Sequence, residues 1–129
     1  METTTVADLM TTPVFTVEAD ERPGDVAEAM IDAGVNSVVI IDAECTPIGI
    51  VTATDYVAMT AAGVDPYGTT LSEHMTTGVH TGRPDERVST VADRMAANDI
   101  SHLPIVDEKR QVTGIVTTTD LTAYLAAQN

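Results

Sequence analysis

A chain of 129 residues has room for one compact domain or two small halves folded together, and its 43 % hydrophobic share excludes global disorder. One Phe and no Trp make the core aliphatic, no apolar run reaches the ~18 residues of a membrane helix, METTTVADLM lacks the features of a secretory leader, and a lone Cys45 excludes an intramolecular disulfide or Cys-rich zinc site. These features set the expectation of a cytoplasmic protein, and the net charge of −14, from 20 acids and 6 bases with a single Lys, disfavours nucleic acid and matches adaptation to high salt, where screening quiets self-repulsion.

Taken in order, Val6 to Met10 predicts a helical turn and Val14 to Val17 a brief strand. Pro23 suits the first turn of a helix running to Ala33, and Gly34 its stop. Ser37 to Asp42 and Pro47 to Thr52 read as strands joined by the polar loop Ala43 to Thr46, and a helix follows from near Thr54. Gly63 to Thr69 is a linker. The order then repeats. Leu71 to Met75 is a turn, with a capping-box pattern in Thr70-Leu71-Ser72-Glu73, and Val79 to Thr81 a brief strand. Ser89 is the expected N-cap of a helix reaching about Asn98. Strands at His102 to Asp107 and Val112 to Thr117 follow, then a helix from near Thr119.

This is a tandem duplication. A shift of 65 residues aligns Met10–Asp55 with Met75–Asp120 without a gap, and 19 of the 46 positions are identical. Met10-Thr11-Thr12 falls on Met75-Thr76-Thr77, Asp20-Glu21-Arg22 on Asp85-Glu86-Arg87, and Gly49-Ile50-Val51-Thr52 on Gly114-Ile115-Val116-Thr117. The units divide the chain as 1–65 and 66–129. A β-α-β-β-α unit of this size buries too little surface alone. Val38 to Ile41 and Leu103 to Val106 are apolar throughout, which demands cover on both faces. The expected fold class is therefore α+β, with two units packed sheet to sheet about a pseudo-two-fold axis.

The unit ending in Gly-Ile-Val-Thr-x-Thr-Asp resembles the CBS domain, which occurs in tandem pairs. Ile100 to Asp107 is similar to the family's second-strand pattern, and Gly49–Asp55 and Gly114–Asp120 to its closing motif; the first copy departs from it, with Val39 where Pro104 stands in the second. The resemblance implies a regulatory, non-catalytic module without a resident metal. It would bind an adenosine nucleotide (AMP, ADP or ATP, with S-adenosylmethionine or NAD as lesser candidates) in a cleft between units, form a homodimer, and signal to a regulated protein.

The closing motif also makes chemical sense by itself. Asp55 and Asp120 fall in the first turn of a helix, where a carboxylate can accept from two vicinal ribose hydroxyls. Thr52, Thr54, Thr117 and Thr119 surround the helix start, where hydroxyls and N–H groups suit a phosphate. By resemblance, Thr16 and Val17, or Thr81 and Gly82, flank the adenine, and Ser37 and Val38, or Ser101, His102 and Pro104, close the other side. Arg83 and His102 are the candidate phosphate contacts. Residues 66–129 carry net −3 against −11 for 1–65, so an anion should prefer the second copy. The bland readings stand beside these. Thr-x-Thr-Asp is also an ordinary N-cap cluster, Arg87 and Arg94 are surface partners of acids such as Asp85 or Asp99, and the pair could be a ligand-free interaction scaffold. His74 and His80 have no metal-ligand arrangement, and Cys45 has no activating base.

Overall fold

The duplicated strand pairs fold alike because their loops carry the same device. A computed structural model describes residues 4–128. β2 (Ser37–Ile41) and β3 (Pro47–Thr52) are antiparallel with Val39 opposite Ile50; further along, β4 (His102–Val106) and β5 (Val112–Thr117) are antiparallel with Pro104 opposite Ile115. In the first loop, Asp42 Oδ1 accepts from the N–H groups of Glu44 and Thr46 at 2.9 and 3.0 Å. In the second, Asp107 Oδ1 accepts from Lys109 and Gln111 at 2.8 and 3.0 Å. These aspartate-centred turns hold Cys45 and Arg110 in the left-handed region, each at φ 64°. Val38, Val39, Ile40, Leu103 and Ile105 are completely buried, as continuous apolar strands require.

α1 (Pro23–Ala33) starts on its proline and stops at Gly34, φ 70°. α2 (Ala53–Ala61) and α4 (Thr118–Ala127) follow their strands directly, capped by Thr52 and Thr117. The corresponding helix of the second copy begins earlier than expected. α3 spans Val88–Ala97 with Arg87, not Ser89, at the N-cap, in phase with Arg22 and Pro23 of the first copy. A chain segment replaces the side-chain cap: Val88 N–H donates to Thr4 O at 3.4 Å.

Two further expectations are corrected. Val79 to Thr81 forms no strand. In the first copy, β1 (Thr16–Glu18) runs parallel to β2, and Val39 N–H donates to Phe15 O at 3.0 Å. Pro104 occupies the position matching Val39 and has no N–H to give, so the ladder shrinks to a bridge between Gly82 and Ile105. The sheets are accordingly β1-β2-β3 and β4-β5. Thr70, expected to begin a capping box, instead pairs its hydroxyl with Ser72 at 2.8 Å, and Glu73 accepts from Thr69 at 2.6 Å.

The compact units do not coincide with the sequence repeats. Phe15–Val79 is one; residues up to Val14 join those from His80 onward in the other. We call them the continuous and the split unit. Each is completed by the short turn that opens the other repeat. In the continuous unit, Leu71 and Ser72 N–H donate to Glu21 and Ala19 O at 2.9 and 3.0 Å; in the split unit, Val6 and Ala7 N–H donate to Glu86 and Pro84 O at 2.9 and 3.0 Å. These pairs match residue for residue at the shift of 65. Behind each turn sits one core, with Leu71 among Val26, Met30, Val38 and Val51, and Val6 among Val91, Met95, Leu103 and Val116.

The fold is thus α+β with two sheets and four α-helices among the described residues. No helix there is long and apolar enough to cross a membrane.

Candidate functional site

Each unit brings one strand end, one helix start and one carboxylate together. Ser37 pairs with Thr52 and His102 with Thr117 at the open ends of the two hairpins. The chain then turns straight into a helix, held by Ala53 N–H on Asn36 O at 2.9 Å, or Thr118 N–H on Ser101 O at 3.0 Å. The acid sits at the third helical position and reaches back to the cap. Asp55 Oδ2 accepts from Thr52 N–H at 2.8 Å and from its hydroxyl at 3.2 Å. Asp120 Oδ2 accepts from Thr117 N–H at 2.9 Å and from its hydroxyl at 3.1 Å. These are reciprocal capping boxes. The ordinary capping role is therefore real. It engages only one oxygen of each carboxylate and leaves the other for a further partner.

At the split unit that partner is within the chain. The Thr11 hydroxyl lies 3.2 Å from Asp120 Oδ1 and 3.3 Å from Oδ2, in position to donate to either. Asp55 Oδ1 has no hydrogen-bond partner among the described residues. Sequence reasoning did not single out Thr11, because 109 residues separate it from Asp120. The only signal was its identity with Thr76 in the repeat.

The other expected residues divide by location. Thr54 and Thr119 are exposed on the first turns of α2 and α4, beside the carboxylates. Thr16 is half-buried on β1, whereas Val17 and Val38 turn into the core of the continuous unit, so only their backbone is available to a ligand. Ser37 is buried at 9 % exposure, and Ser101 is exposed. His102 stands half-buried beside Thr117. Gly82 and Pro104 are buried and bonded to each other, Gly82 N–H to Pro104 O at 3.0 Å. A Cβ on Gly82 would stand 3.1 Å from the side-chain tips of Ile105 and Leu103, a tight contact that these tips would have to relieve by a few tenths of an ångström.

Arg83 is not brought to the junction. It lines a shallow pocket of about 260 Å³ with Pro84, Asp85, Asp107 and Glu108. That is the loop end of β4, roughly 13 Å along the strand from His102 at ~3.3 Å per residue. Two of those neighbours continue the β4–β5 loop, and three of the four are acids, which is poor company for a phosphate. Arg94 has a structural task, with a partner other than those expected. Its guanidinium donates to Glu86 at 2.9 and 2.5 Å and to Thr81 O at 3.1 Å, tying α3 to the segment that carries Gly82. The pair holds the Glu86 carboxyl below its ordinary value and pushes the Arg94 pKa up. In the continuous unit the Tyr56 hydroxyl donates to Pro23 O at 2.8 Å, and burial pushes its pKa up to about 12. Among the described residues no group of three or more His, Cys, Asp or Glu is placed to hold a metal.

A duplicated α-β-β-α arrangement with a capped acid at each closing junction defines a class, and its relatives name it. The family described as CBS domain matches residues 6–59 and 71–127, so the chain belongs to the CBS-domain family, as a tandem pair. Its fold is similar to the CBS domain pair of a protein solved in complex with 5'-methylthioadenosine and S-adenosyl-L-methionine, with 31 % identity, TM-score 0.90 and 98 % of each chain covered. Among curated proteins it is 37 % identical, over 87 % of its length, to homoserine O-acetyltransferase of Methanosalsum zhilinae. It is 33 % identical, over 92 %, to L-aspartate semialdehyde sulfurtransferase of Methanocaldococcus jannaschii. The chain spans 22 % of the length of each of these two relatives.

Proposed function

We propose that this CBS pair is a regulatory sensor of an adenosyl compound, with Asp55 and Asp120 as acceptors for the ribose diol. The observation that carries this is the half-used carboxylate. In both units the N-cap threonine anchors one oxygen and so fixes the orientation of the other, which is what a positioned diol acceptor needs. Thr52, Thr54, Thr117 and Thr119 supply hydroxyls around it, His102 adds a titratable group in the split unit, and Thr16, Thr81 and Gly82 flank the base. The shared moiety is adenosine, which AMP, ADP, ATP, NAD, S-adenosylmethionine and 5'-methylthioadenosine all contain. With a net charge of −14, the chain's field opposes polyphosphates and favours an uncharged or sulfonium ligand. The solved neighbour bound to such compounds supports the same preference.

Binding acts on a partner through different affinity for two arrangements of the protein. The output is regulatory rather than catalytic, directed at a protein partner or at an enzyme domain of the kind its long relatives are named for. Ile31, Val57 and Leu125, exposed at 79, 69 and 64 % on three helices, support pairing of two copies in the homodimer.

The test is a melting series at low and high salt with AMP, ATP, S-adenosylmethionine and 5'-methylthioadenosine, each beside its 2'-deoxy analogue. Ligand at 100 times its Kd stabilises by ~2.7 kcal/mol, a shift of several degrees. The expected result is a shift with at least one adenosyl compound that the deoxy analogue largely loses. Absence of a shift with all four sinks the sensor reading and leaves the ligand-free scaffold.

A further inference from the structure

We infer that Thr11 makes the two carboxylates unequal, acting as an internal competitor for the diol at Asp120 and leaving Asp55 as the acceptor of first choice. The inference rests on the sensor reading above and adds to it an order of occupancy and the residue that sets it.

The comparison is controlled by the duplication itself. Thr11 and Thr76 are the same residue type at the same repeat position. Their backbones make the same pair of bonds. Thr11 N–H donates to Ile115 O at 2.8 Å and Ile115 N–H to Thr11 O at 3.2 Å; Thr76 N–H donates to Ile50 O at 3.0 Å and Ile50 N–H to Thr76 O at 3.1 Å. Each threonine is thereby held beside the strand that leads into its junction, β5 or β3. The difference is confined to the side chain. The Thr11 hydroxyl is seated on Asp120, 3.2 Å from Oδ1 and 3.3 Å from Oδ2. Among the described residues, the Thr76 hydroxyl makes no such bond to Asp55. Oδ2 of both acids is already committed to the cap, so Oδ1 is the oxygen a diol must use. At Asp55 it is open; at Asp120 the diol competes with Thr11 for it.

For a cationic ligand, charge points the same way. Between Phe15 and Val79 there are eleven acids and one base, for net −10, whereas the split unit carries nine acids and five bases, for net −4. An uncharged probe removes that difference and isolates the threonine.

The experiment is an amide NMR titration of the full chain with 5'-methylthioadenosine, which is uncharged, on wild type, Thr11→Val and Thr76→Val. Valine keeps the branched shape and the backbone bonds, and both threonines are exposed, so neither variant threatens the fold. In wild type, the amides of Thr52 to Asp55 are expected to saturate at lower ligand than those of Thr117 to Asp120. A net hydrogen bond is worth about a two- to tenfold change in affinity, and Thr11→Val should tighten the second set by that factor. Thr76→Val should leave the first set where it was. The inference is overturned if the second set saturates first in wild type, or if Thr11→Val leaves it unchanged or weakens it. In those cases binding is still seen and the sensor reading survives. If no amide of either junction moves in any of the three proteins, the sensor reading itself has failed, and the inference with it.

Discussion

The continuous and the split unit are built from the same repeat and solve the same packing problem with different parts. The continuous unit has a full third strand, because Val39 can donate to Phe15; the split unit has Pro104 there and keeps a single bridge. The lost strand is compensated by a charge pair. Arg94, which stands where the first copy has Ala29, grips Glu86 and the carbonyl of Thr81. The helix grooves differ as well. Between α1 and α2 the ring of Tyr67 lies over Gly24, with its hydroxyl donating to Glu28 at 2.7 Å. The matching groove between α3 and α4, lined by Ser89, Asp93 and Leu125, is roomier, with a volume of about 400 Å³ against about 220 Å³ between α1 and α2. Duplication therefore preserves what closes the hairpin and the helix start, and lets the periphery diverge.

The sharpest way to break this comparison is at the exchanged turns. Leu71 belongs to the second repeat by sequence and to the continuous unit by packing, where it is completely buried. Leu71→Ala should cost about 2–5 kcal/mol. Hydrogen exchange should locate the loss at Val38 to Ile40 rather than at Leu103 to Ile105. Val6→Ala should reverse the pattern with a smaller cost, since fewer methyl groups are removed. If Leu71→Ala instead loosens Leu103 to Ile105 first, the compact units follow the sequence repeats after all.

How much of this was legible beforehand depended on sequence distance. The hairpins with their polar loops, Pro23 and Gly34, and both Thr-x-x-Asp caps are local, so periodicity and residue type were enough. The two acids of the candidate site were readable for the same reason. The exchange of the opening turns was not, because a 65-residue repeat says which residues correspond and nothing about which copy each segment completes. Thr11 on Asp120 and Arg94 on Glu86 were missed on the same ground: each depends on elements meeting across the fold. The absent strand at Val79 to Thr81 was in principle readable from Pro104, whose missing N–H faces the position where Val39 donates. Arg83 was assigned to a phosphate because it is a cation close in sequence to Gly82, but parallel pairing with β4 carries it to the loop end.

A smaller effect tests the charge pair that replaces the strand. Glu86 and Arg94 are about one fifth and one third exposed, so the pair is worth about 1–2 kcal/mol, at the upper end for a surface contact and comparable to a hydrogen bond to a charged group. The Glu86 carboxyl is held below its ordinary value of 4.5, chiefly by the Arg94 hydrogen bond. A depressed folded-state pKa means that the stabilisation is fully present above 4.5 and is lost as the pH falls through the folded value. Glu86→Gln should therefore lower the melting temperature at pH 7 and converge on wild type in acid. Its counterpart Glu21→Gln, lacking an arginine partner, should show a smaller gap. Equal gaps for both would deny Arg94 its compensating role.

The smallest expected effect concerns the covered groove. A Cβ on Gly24 would stand 2.4 Å from the Tyr67 ring, so Gly24→Ala must push the ring aside even though alanine favours the helix by ~1 kcal/mol. The two terms oppose each other in the wild-type background and separate in a double-mutant cycle. Tyr67→Ala alone should cost about 1 kcal/mol, because the ring is half-exposed at 48 % and its hydroxyl bond is at the surface. In that background Gly24→Ala should turn plainly stabilising, since the ring it would strike is gone. In the split unit the matching residue is already Ser89, whose Cβ the groove accommodates, and Ser89→Ala should behave as an ordinary helix substitution of a few tenths of a kcal/mol. If Gly24→Ala gained equally with and without Tyr67, the ring would not be seated on Gly24, and the two grooves would differ in composition alone.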